Sequence, residues 1–301
     1  VYKAPPLNML SKQTRVVFFG TPDLAIPALQ ALVESGVLIL AVVTQPDRPV
    51  GRKQLMTPPP VKVWAEEHHL NVIQPQKIRT REFETWLKDQ KPDICVVVAY
   101  GKIFPESLLK VPPKGFVNIH PSLLPELRGA TPIPFAILNG LHETGVTIML
   151  MDAGMDTGPI LLQEKINLPA RATYRWLHDQ LKELGATLLI QALEGYLNGT
   201  ISPTPQSGEG SKTTLLDRTH GEVSWEAGAE KIDRMWRAFH PFPGVTVLSE
   251  GTRLKLIECD LQGQYLIIKK IQPEGKSSMS GAAFRRGNPN WPAPPWVTWA
   301  E

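Results

Sequence analysis

Only two cysteines stand in the 301-residue chain, Cys95 and Cys259. They lie far apart in apolar runs, which excludes a disulfide framework or a cysteine-rich metal centre as the organising feature. No apolar stretch approaches the roughly 20 residues that span a bilayer. The opening "VYKAPPLNMLSKQTR" carries no apolar core of a secretion signal, so the expected location is the cytoplasm. Charge excess is also missing: a net +3 suits a polyanionic partner but is far from the footprint of a dedicated nucleic-acid binder. "FFGTPD" lacks the glycine spacing of a dinucleotide-binding turn, so no NAD is expected.

What is present is alternation. A hydrophobic fraction of 42% can fill one sizeable core and a second, smaller one. "RVVFFGTPDLAIPALQALVESGVLILAVV" reads as strand, helix and strand, with Thr21 as N-cap, Pro22 at the first helical position and Asp23 at the positive end of the helix dipole. "DICVVVAYG" and "GFVNIH" read as further buried strands, separated from that unit by helices in "PVKVWAEEHHL" and "TREFETWLKDQ". This pattern predicts an α/β fold with a mostly parallel, doubly covered sheet. "TGVTIMLMDAGMDTGPILLQEKINL" adds two strands around a glycine-rich turn, and a long helix follows from about Thr173 to Tyr196.

The Gly, Ser and Pro of "NGTISPTPQSGEGSK" read as a linker. Beyond it, the helix "EKIDRMWRAF" and several short strands predict a small β-barrel. The expected boundaries are an N-terminal extension at 1–13, a catalytic domain at 14–199, a linker at 200–215, a barrel domain at 216–288 and a tail at 289–301.

The run "FVNIHPSLLPELRGATP" bears on chemistry. Residues two apart on a strand share a face, so Asn118 and His120 stand side by side while Val117 and Ile119 enter the core. His120 ends the strand, where open α/β sheets bind ligands. A carboxamide N–H can donate to an oxygen that becomes negative, and an imidazole can hold or move a proton near neutral pH. Together they suit acyl-type transfer; the alternative is a pair that caps loop carbonyls. In "MDAGMDTG", Asp152 or Asp156 could orient the imidazole, or both could simply form the turn. Residue types alone do not choose between them. Arg48, Arg52 and Lys53 in "QPDRPVGRKQLMTPPP" sit in a basic loop that is either solvated or in contact with phosphate.

"GTPDLAIPAL", "TQPDRPVGR", "PPVKVWAEE", "VVVAYGKI", "NIHPSLLPELRGATPI", "ETGVTIMLMDAGMDTG", "RAFHPFPG" and "IQPEGKSSMS", in this order and spacing, resemble the methionyl-tRNA formyltransferase family. The resemblance covers most of the chain. It implies a Rossmann-like formyltransferase domain followed by a smaller OB-like barrel. It also implies a reaction in which 10-formyltetrahydrofolate formylates methionyl initiator tRNA, by a monomeric enzyme with no metal and no membrane partner. By that match Asn118, His120 and Asp156 are the catalytic set, and Ser122, Leu123, Leu124 and Pro125 line the folate site. Arg48, Arg52 and Lys53 belong to an insertion that reaches the acceptor end of the tRNA. Two departures stand out. Glu126 replaces the basic residue usual after "SLLP", and only "QGQ" separates two second-domain strands where the family has more, so Lys231, Arg234, Arg237, Lys269 and Lys270 become candidates for the tRNA grip. The rival readings are a formyltransferase acting on a small amine and a non-catalytic RNA-binding relative.

Overall fold

Short apolar runs bounded by glycine, proline or aspartate become the strands of the first sheet. The computed structural model describes residues 10–51, 53–249 and 251–301. Its first elements are β1 (Arg15–Gly20), α1 (Ile26–Glu34), β2 (Leu38–Val43), β3 (Arg48–Val50), β4 (Leu55–Thr57), α2 (Pro60–Glu67) and β5 (Val72–Ile73). Then come α3 (Arg81–Gln90), β6 (Ile94–Val98), α4 (Glu106–Leu109), β7 (Phe116–His120), α5 (Pro132–Leu138), β8 (Glu143–Leu150), β9 (Ile160–Asn167) and α6 (Tyr174–Asn198).

Seven of these strands form one sheet in the order β5-β2-β1-β6-β7-β8-β9. The first five pair in parallel and β8 runs antiparallel to β7. This is the mostly parallel, Rossmann-like sheet that the alternation predicts. Val17 and Phe19 of β1, Cys95 and Val97 of β6 and Phe116 of β7 share a buried cluster with Phe83 and Leu87 of α3. Each of the large side chains contributes about 1.5–3 kcal/mol by leaving water. Helix α3 starts as its sequence dictates, with the Thr80 hydroxyl accepting from the Phe83 N–H at 3.2 Å.

The first helix departs from expectation. Asp23–Ala25 form a 3₁₀ turn and α1 begins at Ile26, with Pro27 inside its first turn, where a missing N–H costs nothing. Thr21 is therefore no N-cap; its hydroxyl donates to the Tyr100 carbonyl at 3.2 Å, tying the first βα turn to the end of β6.

Two compact units emerge, and neither is a continuous stretch. The first combines the chain up to Ala130 with Glu143–Ile166 and His178–Thr213; the second combines Thr131–His142, Asn167–Leu177 and Thr214–Glu301. The expected linker at 200–215 is thus largely part of the first unit. Thr204 exchanges backbone hydrogen bonds with Ile160, and Arg128 donates its N–H to the Ser211 carbonyl while its own carbonyl accepts from the Thr213 N–H. One of its glycines is a close-approach point: a Cβ on Gly210 would lie 2.2 Å from the Pro125 carbonyl oxygen.

The second unit contains β10 (Glu222–Val223), α7 (Ala229–Phe239), β11 (Val245–Ser249), β12 (Thr252–Gln262), β13 (Tyr265–Pro273), β14 (Met279–Ser280), α8 (Gly281–Gly287) and β15 (Val297–Trp299). Its six strands form one sheet, β10-β11-β12-β13-β14 with β15 on β13. Where the family resemblance implies further strands, β12 and β13 form a long hairpin closed at Gly263, whose φ is +58°. The expected tail is no tail. β15 pairs in parallel with β13, and the rings of Trp291 and Trp299 each lie 5.3 Å from that of Phe284, the first edge-on and the second tilted. Apolar area and ladder hydrogen bonds outweigh the proline content of that segment.

Arg237, considered for RNA contact, is buried on α7. It donates to Asp233 at 2.8 Å and to the Ala172 carbonyl at 2.8 Å. Its charge is spent inside the unit.

Candidate active site

β7 lies between β6 and β8, and its carboxyl end carries the polar pair. The Asn118 side chain is half-buried. Among the described residues its carboxamide makes no hydrogen bond to protein. His120 is 4% exposed. Its Nε2 lies 3.0 Å from the Leu127 carbonyl oxygen, which can only accept, so Nε2 carries the hydrogen of the neutral ring. Nδ1 then presents a lone pair to Asp156 Oδ2 at 3.7 Å. Two acceptors face each other across that gap, which is wider than a hydrogen bond, and a proton taken up by the imidazole would be attracted by the carboxylate.

Asp156 reaches this position from a distance. β8 ends opposite the start of β7, with Leu150 beside Val117, so the loop 151–159 must fold back along the strand to bring its carboxylate to His120. The return is tight: a Cβ on Gly158 would lie 1.9 Å from the Leu150 carbonyl oxygen. Asp156 sits at φ +53°, a left-handed conformation that aspartate tolerates better than most residues. Its Oδ2 accepts from the Gly129 N–H at 2.8 Å. Asp152 behaves differently, its Oδ1 accepting from the Gly154 N–H and the Thr157 hydroxyl at 3.0 and 2.8 Å. One aspartate forms the turn and the other faces the imidazole.

The loop after β7 gives Leu127 and Gly129 of the quoted run their part. Leu127 supplies the carbonyl that holds His120, and Gly129 the N–H that holds Asp156. Gly129 has φ +111°, and a Cβ there would meet the Thr213 carbonyl oxygen at 2.8 Å. Only glycine fits both demands. Sequence reasoning missed both residues, because what they contribute is backbone.

Burial pushes the His120 imidazole below the ordinary histidine range, and the Asp156 carboxylate and the Leu127 carbonyl raise it only in part. The ring is therefore neutral at pH 7. An NMR titration of His120 in the free protein is expected to show a midpoint below 6.5, moving lower still in Asp156→Asn, where the favourable charge is gone. A midpoint at or above 6.5 would contradict the buried neutral ring.

The "SLLP" residues divide. Ser122 and Leu124 are buried. The Ser122 hydroxyl donates to the Glu126 carbonyl at 2.5 Å, and the Leu124 N–H donates to Thr147 Oγ1 at 3.0 Å. Leu123 and Pro125 keep accessible surface. The Glu126 carboxylate accepts from the Ser211 hydroxyl, so the acid that replaces a basic residue braces this loop. Large apolar side chains stay uncovered nearby in sequence: Ile103 just beyond β6 is 67% exposed and Met155 beside Asp156 is 62% exposed.

The basic loop is a two-stranded ribbon, β3 on β4, with Val50, Leu55 and Met56 exposed. Arg48 donates to Gln45 Oε1, and Lys53 is exposed. Arg52 lies outside the described residues. Asp47, at the ribbon's base, accepts from Lys62 at 3.0 Å and from Gln74 at 2.7 Å.

A Formyl transferase family model matches residues 14–193, and a Formyl transferase, C-terminal domain model matches residues 215–265. A methionyl-tRNA formyltransferase from Chloroflexus aurantiacus is 46% identical, covering 91% of this chain and 96% of that protein. One from Pelobacter propionicus is 41% identical, covering 91% and 93%. Among solved structures, a 4-N formyltransferase from Francisella tularensis superposes with a TM-score of 0.65 at 20% identity, over 83% of this chain and 98% of that one. That last likeness is one of fold.

Proposed function

The chain belongs to the methionyl-tRNA formyltransferase family, and from that membership we infer that it moves the formyl group of 10-formyltetrahydrofolate onto the α-amino group of methionine carried by initiator tRNA. The observation that carries this reading is the unspent Asn118 carboxamide beside the His120–Asp156 pair, at the carboxyl end of a strand. The surface of Leu123 and Pro125, with Ile103 and Met155, suits the ring system of the folate.

When bound, the donor supplies a formyl carbon whose oxygen gains negative charge as the amine attacks. Asn118 donates an N–H to that oxygen. The attacking nitrogen must lose a proton to become an amide, and the folate nitrogen must gain one as its bond to the formyl carbon breaks and tetrahydrofolate leaves. The gap between His120 Nδ1 and Asp156 Oδ2 is where this chain can hold it, since a proton there relieves the opposition of two acceptors. His120 thus acts as proton holder rather than as oxyanion donor, its Nε2–H being committed to Leu127. The β3–β4 ribbon, with Lys53 exposed on it, serves the acceptor end of the tRNA.

The test is a formylation assay with the folate donor, comparing methionyl initiator tRNA, uncharged tRNA and free amino sugars. Product is expected with the charged tRNA alone. Product confined to an amino sugar would assign the chain to small-amine chemistry, and no product with any acceptor would leave it a binding protein.

A further inference from the structure

The stretch 206–213 is hydrogen-bonded along the loop that follows β7, and one of its side chains does more than brace it. Gln206 is half-buried between exposed neighbours. Its Nε2 donates to the carbonyl oxygens of Asp156 and Gly158, each at 2.8 Å. Its Oε1 accepts from Arg128 Nε at 3.1 Å and from Arg128 Nη2 at 2.6 Å. A carboxamide has two N–H groups and two acceptor lone pairs, and all four are used. The orientation is forced: turning the amide over would aim its NH₂ at a guanidinium and its oxygen at two carbonyls.

What this side chain joins gives it a role. Arg128 stands between Leu127, whose carbonyl holds His120, and Gly129, whose N–H holds the Asp156 carboxylate. On the other side, Asp156 is the residue whose left-handed backbone turns the carboxylate toward the imidazole. Gln206 thus ties the backbone of one partner to the loop that grips both.

We infer that Gln206, through Arg128, is a positioning residue that sets the separation between the Asp156 carboxylate and the His120 imidazole. The inference rests on the reading of Asp156 and His120 as the proton-handling pair. It adds a residue from a stretch whose composition reads as linker.

Gln206→Glu is the discriminating variant. It keeps an acceptor for Arg128 and replaces the two donated N–H groups with an acceptor facing two carbonyls. Single-turnover formyl transfer with both substrates saturating is expected to fall about tenfold, as misplacement of a reacting group does, with KM for charged tRNA unchanged. Gln206→Ala is expected to lose at least as much. Added to Asp156→Asn, however, it should cause no further loss, because the group it positions is already gone. A rate equal to wild type in Gln206→Glu, or losses that multiply in the double variant, would overturn the positioning role. Failure of both Gln206 variants to fold would do the same, in favour of a purely structural one. Wild-type rate in Asp156→Asn alone would overturn the reading of the pair instead, so the two failures are distinguishable.

Discussion

Asp156→Asn is expected to lower the single-turnover rate of formyl transfer by about 10²- to 10⁴-fold, the usual contribution of a positioned acid or base. The substitution is nearly isosteric. An amide oxygen can still accept from the Gly129 N–H, at 2.8 Å in the wild type, so the loop has little reason to move. What disappears is the capacity to hold a proton opposite His120 Nδ1, 3.7 Å away. Donor binding is expected to survive, because the residues proposed to meet the folate, Leu123, Pro125 and Ile103, are untouched. Rapid-quench measurement of formylmethionyl-tRNA, with donor affinity measured separately, reads both quantities. A rate within threefold of wild type would remove the carboxylate from the chemistry.

The second large effect concerns stability. Asp233 on α7 is 1% exposed and accepts from Arg171 at 2.6 Å and Arg237 at 2.8 Å, while Arg171 also donates to Asp260 at 2.6 Å. Removing one partner of a buried pair leaves the other charge uncompensated, which costs about 3–5 kcal/mol. Asp233→Ala is therefore expected to unfold the second unit at markedly lower denaturant. Replacing Asp233 and Arg237 together by leucine and methionine should recover much of the loss, since apolar packing can substitute for an ion pair but a lone guanidinium cannot be left buried. Unchanged unfolding in Asp233→Ala would show that the network contributes nothing.

The parallel sheet, α3, α7 and the placement of the polar pair on β7 were legible because their causes are local: strand and helix periods and an i, i+2 spacing. The ribbon at Arg48 and the strand at Val297 were not, since each exists only by pairing with another segment. The stretch around Gln206 misled for a further reason. Glycine, serine and proline were read as freedom, whereas Gly210 admits close approach to Pro125 and Ser211 supplies a hydroxyl to Glu126. Choosing between Asp152 and Asp156 required the family match, because both occupy one glycine-bordered turn; the structure distinguishes them by their partners.

The interleaving of the two units constrains how such a chain can be cut or recombined. A fragment starting at Thr214 would carry Asp233 and Asp260 without Arg171 and Ala172, which the chain supplies before α6 enters the first unit. The second unit is consequently no interchangeable cassette: a hybrid joined within 200–215 inherits Asp233 and Asp260 from one parent and Arg171 from the other, and its viability depends on whether the two match.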